Sequence, residues 1–366
     1  MNEKAGDEAG EDIAIVREGA VARIVLKRVK ALNALTTAMR TRIAEAIPVL
    51  ARDASLYAVA IQSESPKAFS AGGDVREIVS WGASDPDRAA KAFADEYLLD
   101  WTLECFSKPT VSLVNGMVMG SGVGISIYNT HRVAGAGYRF AMPETAIGLF
   151  PDVGVAHVLA RLPGEIGTYL GLTGRSIGRA DAYRLGLVTH CIPGESFAGI
   201  VAALSDAQPI DPLLDGLHVD PGAGELAAMD GLLAVAFAGD SVEQIVSRLE
   251  SVSGAGKDFA AGVLADLAKR SPTSLKITLR HLRAARRMDL RNVLIADQRL
   301  AVRCLQGHDF AEGVRAALID KDNRPVWSPA SLAEVNTAEV DRYFAPLPEG
   351  QELMLPSREE MQAARV

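Results

Sequence analysis

The sequence predicts a layered α/β (α+β) fold, and three observations lead to this prediction. Up to about Cys191, short apolar segments rich in β-branched residues alternate with longer helical patterns. Two glycine-rich turns each follow one of these apolar segments. From about Phe197 to Lys269, alanine and leucine dominate together with aspartate, a pattern that favours helices. With 48% hydrophobic residues, the 366-residue chain can bury one large core with a smaller appendage.

The individual elements follow from local patterns. Ile13–Val16 and Val21–Leu26 alternate in the manner of strands, and Glu18-Gly19 between them predicts a hairpin. A helix is expected from Thr36 to Asp53. Further along the chain, two buried strands are expected, Tyr57–Gln62 and Thr110–Val114. Ser271-Pro272-Thr273 resembles a helix start, and helical periodicity continues to about Arg303.

These elements divide the chain into four predicted regions. Residues 1–12 are polar and acidic, and we expect a short disordered tail there. Residues 13–195 should form the core with the active site, and residues 196–345 a helical extension. Residues 346–366 should form a C-terminal tail. The proline-rich stretch from Pro325 to Pro356 is expected to be irregular and to wrap over the body.

Charge, cysteine content and apolar runs restrict the class of partner. A formal net charge of −8 argues against nucleic acid as the main partner. Cys105, Cys191 and Cys304 are far apart without a CxxC pair, so neither a disulfide framework nor a metal site is expected. The apolar run 110–127 is interrupted by glycine and polar residues, which predicts no membrane span. Residues 1–12 have neither an apolar signal core nor an arginine-rich character, so a cytoplasmic location is expected.

The two glycine-rich turns are candidate binding elements. They are Ser70-Ala71-Gly72-Gly73-Asp74 and Met119-Gly120-Ser121-Gly122-Val123-Gly124. Turns without bulky side chains let backbone N–H groups approach a ligand oxygen and stabilise a developing oxyanion. The alternative is that the glycines serve only tight turns and close helix packing, which would be preferred for either turn alone.

Two carboxylates follow in the segment Phe140 to Gly154. Glu144 lies in an apolar setting, and loss of hydration there would raise the pKa of its carboxyl group, as suits a general base or nucleophile. Asp152 follows Phe150-Pro151 and either shares this chemistry or caps a helix beginning at Val153. The sequence contains no HExxH motif of the kind that binds a metal on a helix. His131, His157 and His190 are interpreted as structural or surface residues, and Asp181 with Arg184 as an exposed helix face.

Together these motifs resemble the enoyl-CoA hydratase/isomerase (crotonase) superfamily. The resemblance rests on residues 69–74, Asn115-Gly116 with Gly120-Ser121-Gly122, Pro143-Glu144 with Gly148, and residues 180–188. The segment FAMPETAIGLFPDVG and three C-terminal pieces resemble the 3-hydroxyisobutyryl-CoA hydrolase branch. Those pieces are residues 271–276, His308-Asp309-Phe310 through Asp320-Lys321, and Trp327.

The resemblance implies a core of ββα spiral turns around an acyl-CoA, and hydrolysis of a 3-hydroxyacyl thioester in valine breakdown. It places the N–H groups of Gly73 and Ser121 in an oxyanion hole. Glu144 would act as a nucleophile that forms a mixed anhydride or as a base that activates water. Asp152 would position water or protonate the departing thiolate, and Glu96 would accept the acyl hydroxyl. The remaining substrate-binding residues implied are Lys30, Ala31, Leu32, Ala71 and Asp74.

The resemblance implies no cofactor, because coenzyme A is part of the substrate, and it implies a homo-oligomer, a trimer or another form. Gly124 stands where a hydratase of this superfamily has a second glutamate, which argues against addition of water to an enoyl-CoA. An enoyl-CoA isomerase or hydratase-type enzyme remains an alternative. A non-catalytic acyl-CoA binding protein is another, because Ser121 stands where the family usually has glycine. Position 29 also lacks the proline often found there, which would loosen an edge of the CoA site near Lys30.

Overall fold

A computed structural model describes residues 11–366 of the chain. The disordered tail predicted for residues 1–12 therefore lies almost wholly outside the described residues. At its end, the carbonyl oxygen of Asp12 accepts a 2.8 Å hydrogen bond from the N–H of Lys27, beside the first strand pair.

Within residues 11–366, ten strands form two sheets. The strands are β1 (Ile13–Glu18), β2 (Val21–Leu26), β3 (Ala58–Ser63), β4 (Ala68–Ser70), β5 (Thr110–Val114), β6 (Met117–Met119), β7 (His131–Ala134), β8 (Arg139–Ala141), β9 (Ile177–Gly178) and β10 (His190–Cys191). The larger sheet has the order β1-β2-β3-β5-β7-β10, and the smaller sheet has the order β4-β6-β8-β9. Apart from the antiparallel pairs β1–β2 and β8–β9, all neighbours run parallel.

The two sheets grow together along the chain. Each of the consecutive pairs β3–β4, β5–β6 and β7–β8 contributes one strand to each sheet, so the backbone winds as a spiral of ββ units with intervening helices. Parallel strands covered on both faces must be apolar throughout, and every residue of β5 is buried. This arrangement confirms the predicted α/β fold with a ββα spiral core.

Seventeen α-helices in the described range complete the chain. They are α1 (Thr37–Arg52), α2 (Val75–Ser84), α3 (Pro86–Cys105), α4 (Ser121–Ile127), α5 (Val155–Leu159), α6 (Ile166–Thr173), α7 (Arg179–Arg184), α8 (Phe197–Ser205), α9 (Ile210–Leu217), α10 (Asp230–Ala236), α11 (Val242–Glu250), α12 (Lys257–Leu267), α13 (Pro272–Ala285), α14 (Leu290–Gln306), α15 (His308–Val314), α16 (Thr337–Phe344) and α17 (Arg358–Ala363). A π-helical turn, Arg315–Ile319, continues α15. None of the helices within residues 11–366 is long and apolar enough to cross a membrane.

Local sequence explains where the helices begin. The hydroxyl of Thr36 accepts a hydrogen bond from the N–H of Met39 and so caps α1, while Asp85 caps α3 in the same way. In α1, Met39, Ile43, Ile47 and Leu50 share the buried face at helical spacing.

The chain beyond residue 195 packs directly on the spiral. Helices α8 and α9 cover one face of the larger sheet through a separate apolar cluster that includes Val201 and Leu214. Helix α14 packs along α3, and α15 packs on the turn that carries Glu144. The last residues also pack, since Leu353, Leu355 and Met361 are buried. The C-terminal region therefore helps to build the walls of the interior.

One expected surface feature is wrong. Asp181 of α7 is buried, and its carboxylate accepts hydrogen bonds from the N–H of Leu226 and from Arg184. The segment before residue 226 folds back over α7, an arrangement that the local pattern of α7 did not indicate.

Candidate active site

A cavity of about 300 Å³ lies where the two glycine turns meet the segment that carries the two acids. Its wall includes Gly73, Ser121, Glu144 and Asp152. Four residues predicted from separate parts of the sequence thus surround one volume. Apolar groups from α2, α3 and the π-helical turn also line the cavity, among them Ile78, Phe93 and Leu318.

The first turn is held so that one N–H group remains free. Leu35 pairs with this turn as in a parallel bridge: its N–H donates to the carbonyl of Gly72 at 2.8 Å, and its carbonyl accepts from the N–H of Asp74 at 2.9 Å. Between these bonds, the N–H of Gly73 donates no hydrogen bond within residues 11–366. It is available to a ligand in the cavity.

The second turn approaches the first very closely. Gly120 has φ 45°, and a Cβ atom there would lie 3.1 Å from Glu144 Oε1 and 3.3 Å from the Cα atom of Gly72. Ser121 begins α4, where a backbone N–H has no partner within its own helix, and none is found for it elsewhere in the described chain. Ser121 Oγ would lie 2.7 Å from a Cβ atom at Gly73, so the serine side chain fills space that glycine leaves open.

The other two glycines of this turn serve packing. A Cβ atom at Gly122 would lie 2.6 Å from the Cβ atom of Ser70, and one at Gly124 would lie 2.6 Å from Asp100 Oδ1. The packing alternative therefore accounts for Gly122 and Gly124, whereas Gly120 faces the cavity.

Glu144 is presented by a short 3₁₀ turn, Glu144–Ile147, that ends at Gly148 with φ 74°. A Cβ atom at Gly148 would collide with the backbone of Asp309, and one at Gly313 would collide with Ile147. Because Gly148 and Gly313 have no side chains, the backbone of α15 lies directly against the backbone of this turn. Glu144 is 6% exposed, and its Oε2 has no hydrogen-bond partner in the described chain.

The environment of Glu144 changes its acidity. Burial, together with the nearby negative charge of Glu96, raises the pKa of the Glu144 carboxyl from 4.5 to about 8, although a backbone hydrogen bond opposes the rise. A group with a pKa near the working pH is suited to accept and return a proton.

Asp152 is bonded by a residue that sequence reasoning did not identify. The hydroxyl of Tyr97 donates a 2.9 Å hydrogen bond to Asp152 Oδ2, and both side chains are buried. The cap of α5 is Gly154, with no side-chain cap bond, so the helix-cap alternative for Asp152 is wrong. Burial and the charges of Glu96, Glu144 and Asp297 raise the pKa of Asp152 well above its ordinary value. The surroundings of this carboxyl therefore favour its protonated form.

The backbone after Asp152 is strained and held from two sides. Val153 has φ 53°, a left-handed conformation that β-branched residues rarely adopt. The hydroxyl of Tyr128 donates to the carbonyl of Val153 at 2.7 Å, and the N–H of Gly154 donates to Asp297 Oδ2 at 2.7 Å. Since His281 Nε2 lies 2.6 Å from the other oxygen of Asp297, a buried pair from α13 and α14 fixes this turn.

Further polar residues surround the acids. Arg40 lies at the cavity and pairs with Glu96, and Asp100 is buried behind them. The sequence offered a weak signal for each, a charged residue on the apolar face of its helix. The same signal marks Asp297 in α14.

Two of the six predicted substrate-binding residues lie in the cavity wall, and the other four lie outside it. Glu96 and Ala71 line the cavity. Ala31 and Leu32 lie beside it, where the carbonyl of Leu32 accepts from the N–H of Ala71, and neither lines it. Lys30 is exposed on the same loop, and Asp74 is bound by Arg28 and Arg76.

Comparison with known proteins identifies the family. Residues 21–344 match the family described as Enoyl-CoA hydratase/isomerase. The chain belongs to the enoyl-CoA hydratase/isomerase family. This confirms the resemblance inferred from the motifs.

Members of this family similar to the chain include proteins named 3-hydroxyisobutyryl-CoA hydrolase, mitochondrial. The Danio rerio protein is 39% identical over 356 residues, covering 93% of this chain and 91% of the relative. The Homo sapiens protein is 38% identical over 351 residues, covering 93% of this chain and 90% of the relative.

Two solved structures of this family share the fold over almost their whole length. One is a carnitinyl-CoA dehydratase from Mycobacterium thermoresistibile, with a TM-score of 0.88, 35% identity, and 94% of this chain and 98% of that chain covered. The other is an enoyl-CoA hydratase from Rhodobacter sphaeroides, with a TM-score of 0.88, 36% identity, and 94% and 100% covered. The names of these relatives describe different reactions, so the site must decide between them.

Proposed function

We propose that this protein hydrolyses the thioester of a 3-hydroxyacyl-CoA, with 3-hydroxyisobutyryl-CoA as substrate and 3-hydroxyisobutyrate and CoA as products. One observation carries the proposal: two N–H groups without a hydrogen-bond partner in residues 11–366 share one cavity with two buried acids, Glu144 and Asp152. Support also comes from the relatives named 3-hydroxyisobutyryl-CoA hydrolase. With this substrate, the proposed reaction is a step of valine catabolism.

The geometry suggests how the reaction proceeds. The thioester oxygen would accept hydrogen bonds from the N–H groups of Gly73 and Ser121, which stabilise the negative charge formed during attack; loss of one such donor typically costs about 3 kcal/mol. In one route, Glu144 attacks the carbonyl carbon and the C–S bond breaks, which leaves a mixed anhydride; water then hydrolyses the anhydride, releasing the acid and restoring Glu144. In the other route, Glu144 removes a proton from a water that attacks the carbonyl carbon, and the C–S bond then breaks. Asp152, whose surroundings favour the protonated form, would transfer a proton to the departing thiolate.

Hydration is disfavoured by the surroundings of position 124. A hydratase of this family uses two glutamates, and the second would stand where this chain has Gly124. The carboxylate of Asp100 lies so close to Gly124 that even a Cβ atom would be 2.6 Å from Oδ1. Asp100 itself is almost fully buried and does not line the cavity. Glu144 is thus left without a second glutamate from α4.

The direct test is release of CoA from 3-hydroxyisobutyryl-CoA, measured with a thiol reagent. Wild-type protein should release CoA, Glu144→Ala should not, and Glu195→Gln at an exposed position should behave as wild type. A wild-type rate no higher than that of Glu144→Ala defeats the proposal. The isomerase alternative is tested with Asp152→Asn, because an isomerase that uses Glu144 alone would lose little activity.

The binding-protein alternative predicts tight binding of a CoA ester without turnover, and turnover gained by Ser121→Gly. We regard hydrolysis as better supported, because the group required at position 121 is a backbone N–H, which serine retains.

Three further points belong to this proposal. We propose that the reaction needs no metal or redox cofactor, so dialysis against EDTA should leave the rate unchanged. A homo-oligomer, a trimer or another form, is proposed and is measurable by light scattering. A cytoplasmic location is proposed, although the relatives are named mitochondrial; cell fractionation would decide.

A further inference from the structure

Arg40 lies between two cavities of the protein. Its side chain projects from α1 and lines both the active-site cavity and an apolar groove of about 630 Å³ between α1 and α3 that α17 closes at one end. Arg40 is only 5% exposed. Buried arginines are rare unless they are paired, and here the partner is Glu96 of α3, with Nη1 3.1 Å from Oε2.

The pairing leaves the two oxygens of Glu96 in different situations. Oε2 is bound by Arg40, whereas Oε1 is buried and has no hydrogen-bond partner within residues 11–366. The carboxylate lines the active-site cavity and is 5% exposed overall. A buried acceptor without a partner costs free energy, which a ligand hydroxyl placed against it would recover.

The distance to the proposed reaction centre is short. Arg40 Nη1 would lie 3.2 Å from a Cβ atom at Gly73, the residue whose N–H is proposed to bind the thioester oxygen. The Arg40–Glu96 pair therefore stands beside the thioester position, within reach of the first few carbons of an acyl chain.

We propose that Arg40 is a positioning residue that determines the preference for 3-hydroxyacyl thioesters. Arg40 holds one oxygen of Glu96 and thereby directs the other, Oε1, to accept a hydrogen bond from the 3-hydroxyl group. This inference rests on the proposed function, because it concerns the same cavity. An acyl group without the hydroxyl leaves Oε1 unpaired, and sites built around a hydroxyl discriminate strongly against such analogues.

The test compares 3-hydroxyisobutyryl-CoA with isobutyryl-CoA, which differs only in lacking the hydroxyl. In Arg40→Met, the ratio of kcat/KM for the two substrates should fall by about tenfold to a hundredfold, the usual effect of one hydrogen bond to a charged group. Methionine is chosen because its long side chain keeps the active-site cavity and the apolar groove separate at position 40, whereas alanine would join them. Arg40→Lys should restore most of the ratio, and Arg42→Gln, an exposed arginine of the same helix, should leave it at the wild-type value.

A role in stability alone predicts a different result. If Arg40→Met lowers kcat/KM for both substrates by the same factor, the preference does not depend on Arg40 and the inference is overturned. Non-hydrolysable thioether analogues of the two esters provide the same ratio as dissociation constants. If the wild type does not hydrolyse 3-hydroxyisobutyryl-CoA, the proposed function fails. The ratio of the two dissociation constants still tests the inference: a ratio that depends on Arg40 supports it, and a ratio unchanged in Arg40→Met refutes it.

Discussion

Replacing Glu144 with glutamine should stabilise the protein at alkaline pH. Burial raises the pKa of the Glu144 carboxyl from 4.5 to about 8, so folding favours its protonated form. The resulting stability is fully present below pH 4.5 and is lost as the pH rises through about 8. Glutamine at this position has no proton to lose, and its contribution does not vary with pH.

The magnitude follows from the pKa change. Each pKa unit corresponds to about 1.36 kcal/mol, so the full effect of the rise from 4.5 to about 8 is about 5 kcal/mol. Most of it develops between about pH 5 and pH 9, where the variant should gain about 4 kcal/mol on the wild type.

Urea unfolding followed by tryptophan fluorescence across this pH range measures the effect; the chain contains three tryptophans. The informative quantity is the change with pH in the difference between Glu144→Gln and wild type, because ionisable groups that do not interact with Glu144 contribute equally to both. Glu195→Gln, at an exposed position, should show no such change. A difference that is constant with pH would mean that Glu144 is not buried in a dry site, and the mechanism built on its raised pKa would fail.

The remaining predictions concern catalysis. The value of kcat/KM should rise with pH through an inflection near 8 as Glu144 loses its proton. Glu96→Gln should move this inflection to lower pH, because it removes a negative charge near Glu144. An inflection that stays in place would contradict this coupling. Tyr97→Phe should lower kcat by about tenfold with little effect on KM, because one hydrogen bond to Asp152 is lost; unchanged kinetics would remove Tyr97 from the mechanism. Ser121→Pro should lower kcat by about a hundredfold to a thousandfold, because proline lacks the N–H group. The helix should still form, since proline is tolerated in the first turn of a helix. Ser121→Gly, which keeps the N–H group, should stay within about tenfold of wild type. Equal rates for these two variants would exclude the Ser121 N–H from the oxyanion hole.

Local patterns predicted much of the fold. Strands β2 and β5 have the predicted bounds, and α1 lies within the predicted range. These elements carry long, regular apolar patterns that short-range physics determines. The short strands β4, β6 and β8 were not predicted, because three residues hold no periodicity that distinguishes a strand from a loop. They exist because neighbouring turns of the spiral place them side by side.

The candidate site shows the same division. Glu144, Asp152 and the two glycine turns were predicted from motifs and lie around one cavity. Tyr97 and Asp297 were not, because the bonds that involve them join residues 55 and 143 positions apart in the chain. No local pattern encodes such contacts.

By itself, the sequence determined which groups were available: carboxylates on stiff, proline-flanked segments, and glycines where backbone must pass close to backbone. Only the tertiary structure decided their chemistry. A carboxylate is acidic or basic according to how much water and how much charge surround it, and distant segments create those surroundings when they pack. Helices α3, α14 and α15 pack around the segment that carries Glu144 and Asp152, and α1 brings Arg40 to Glu96. Acid spacing along the chain is therefore a local property, while proton affinity is a property of the whole fold.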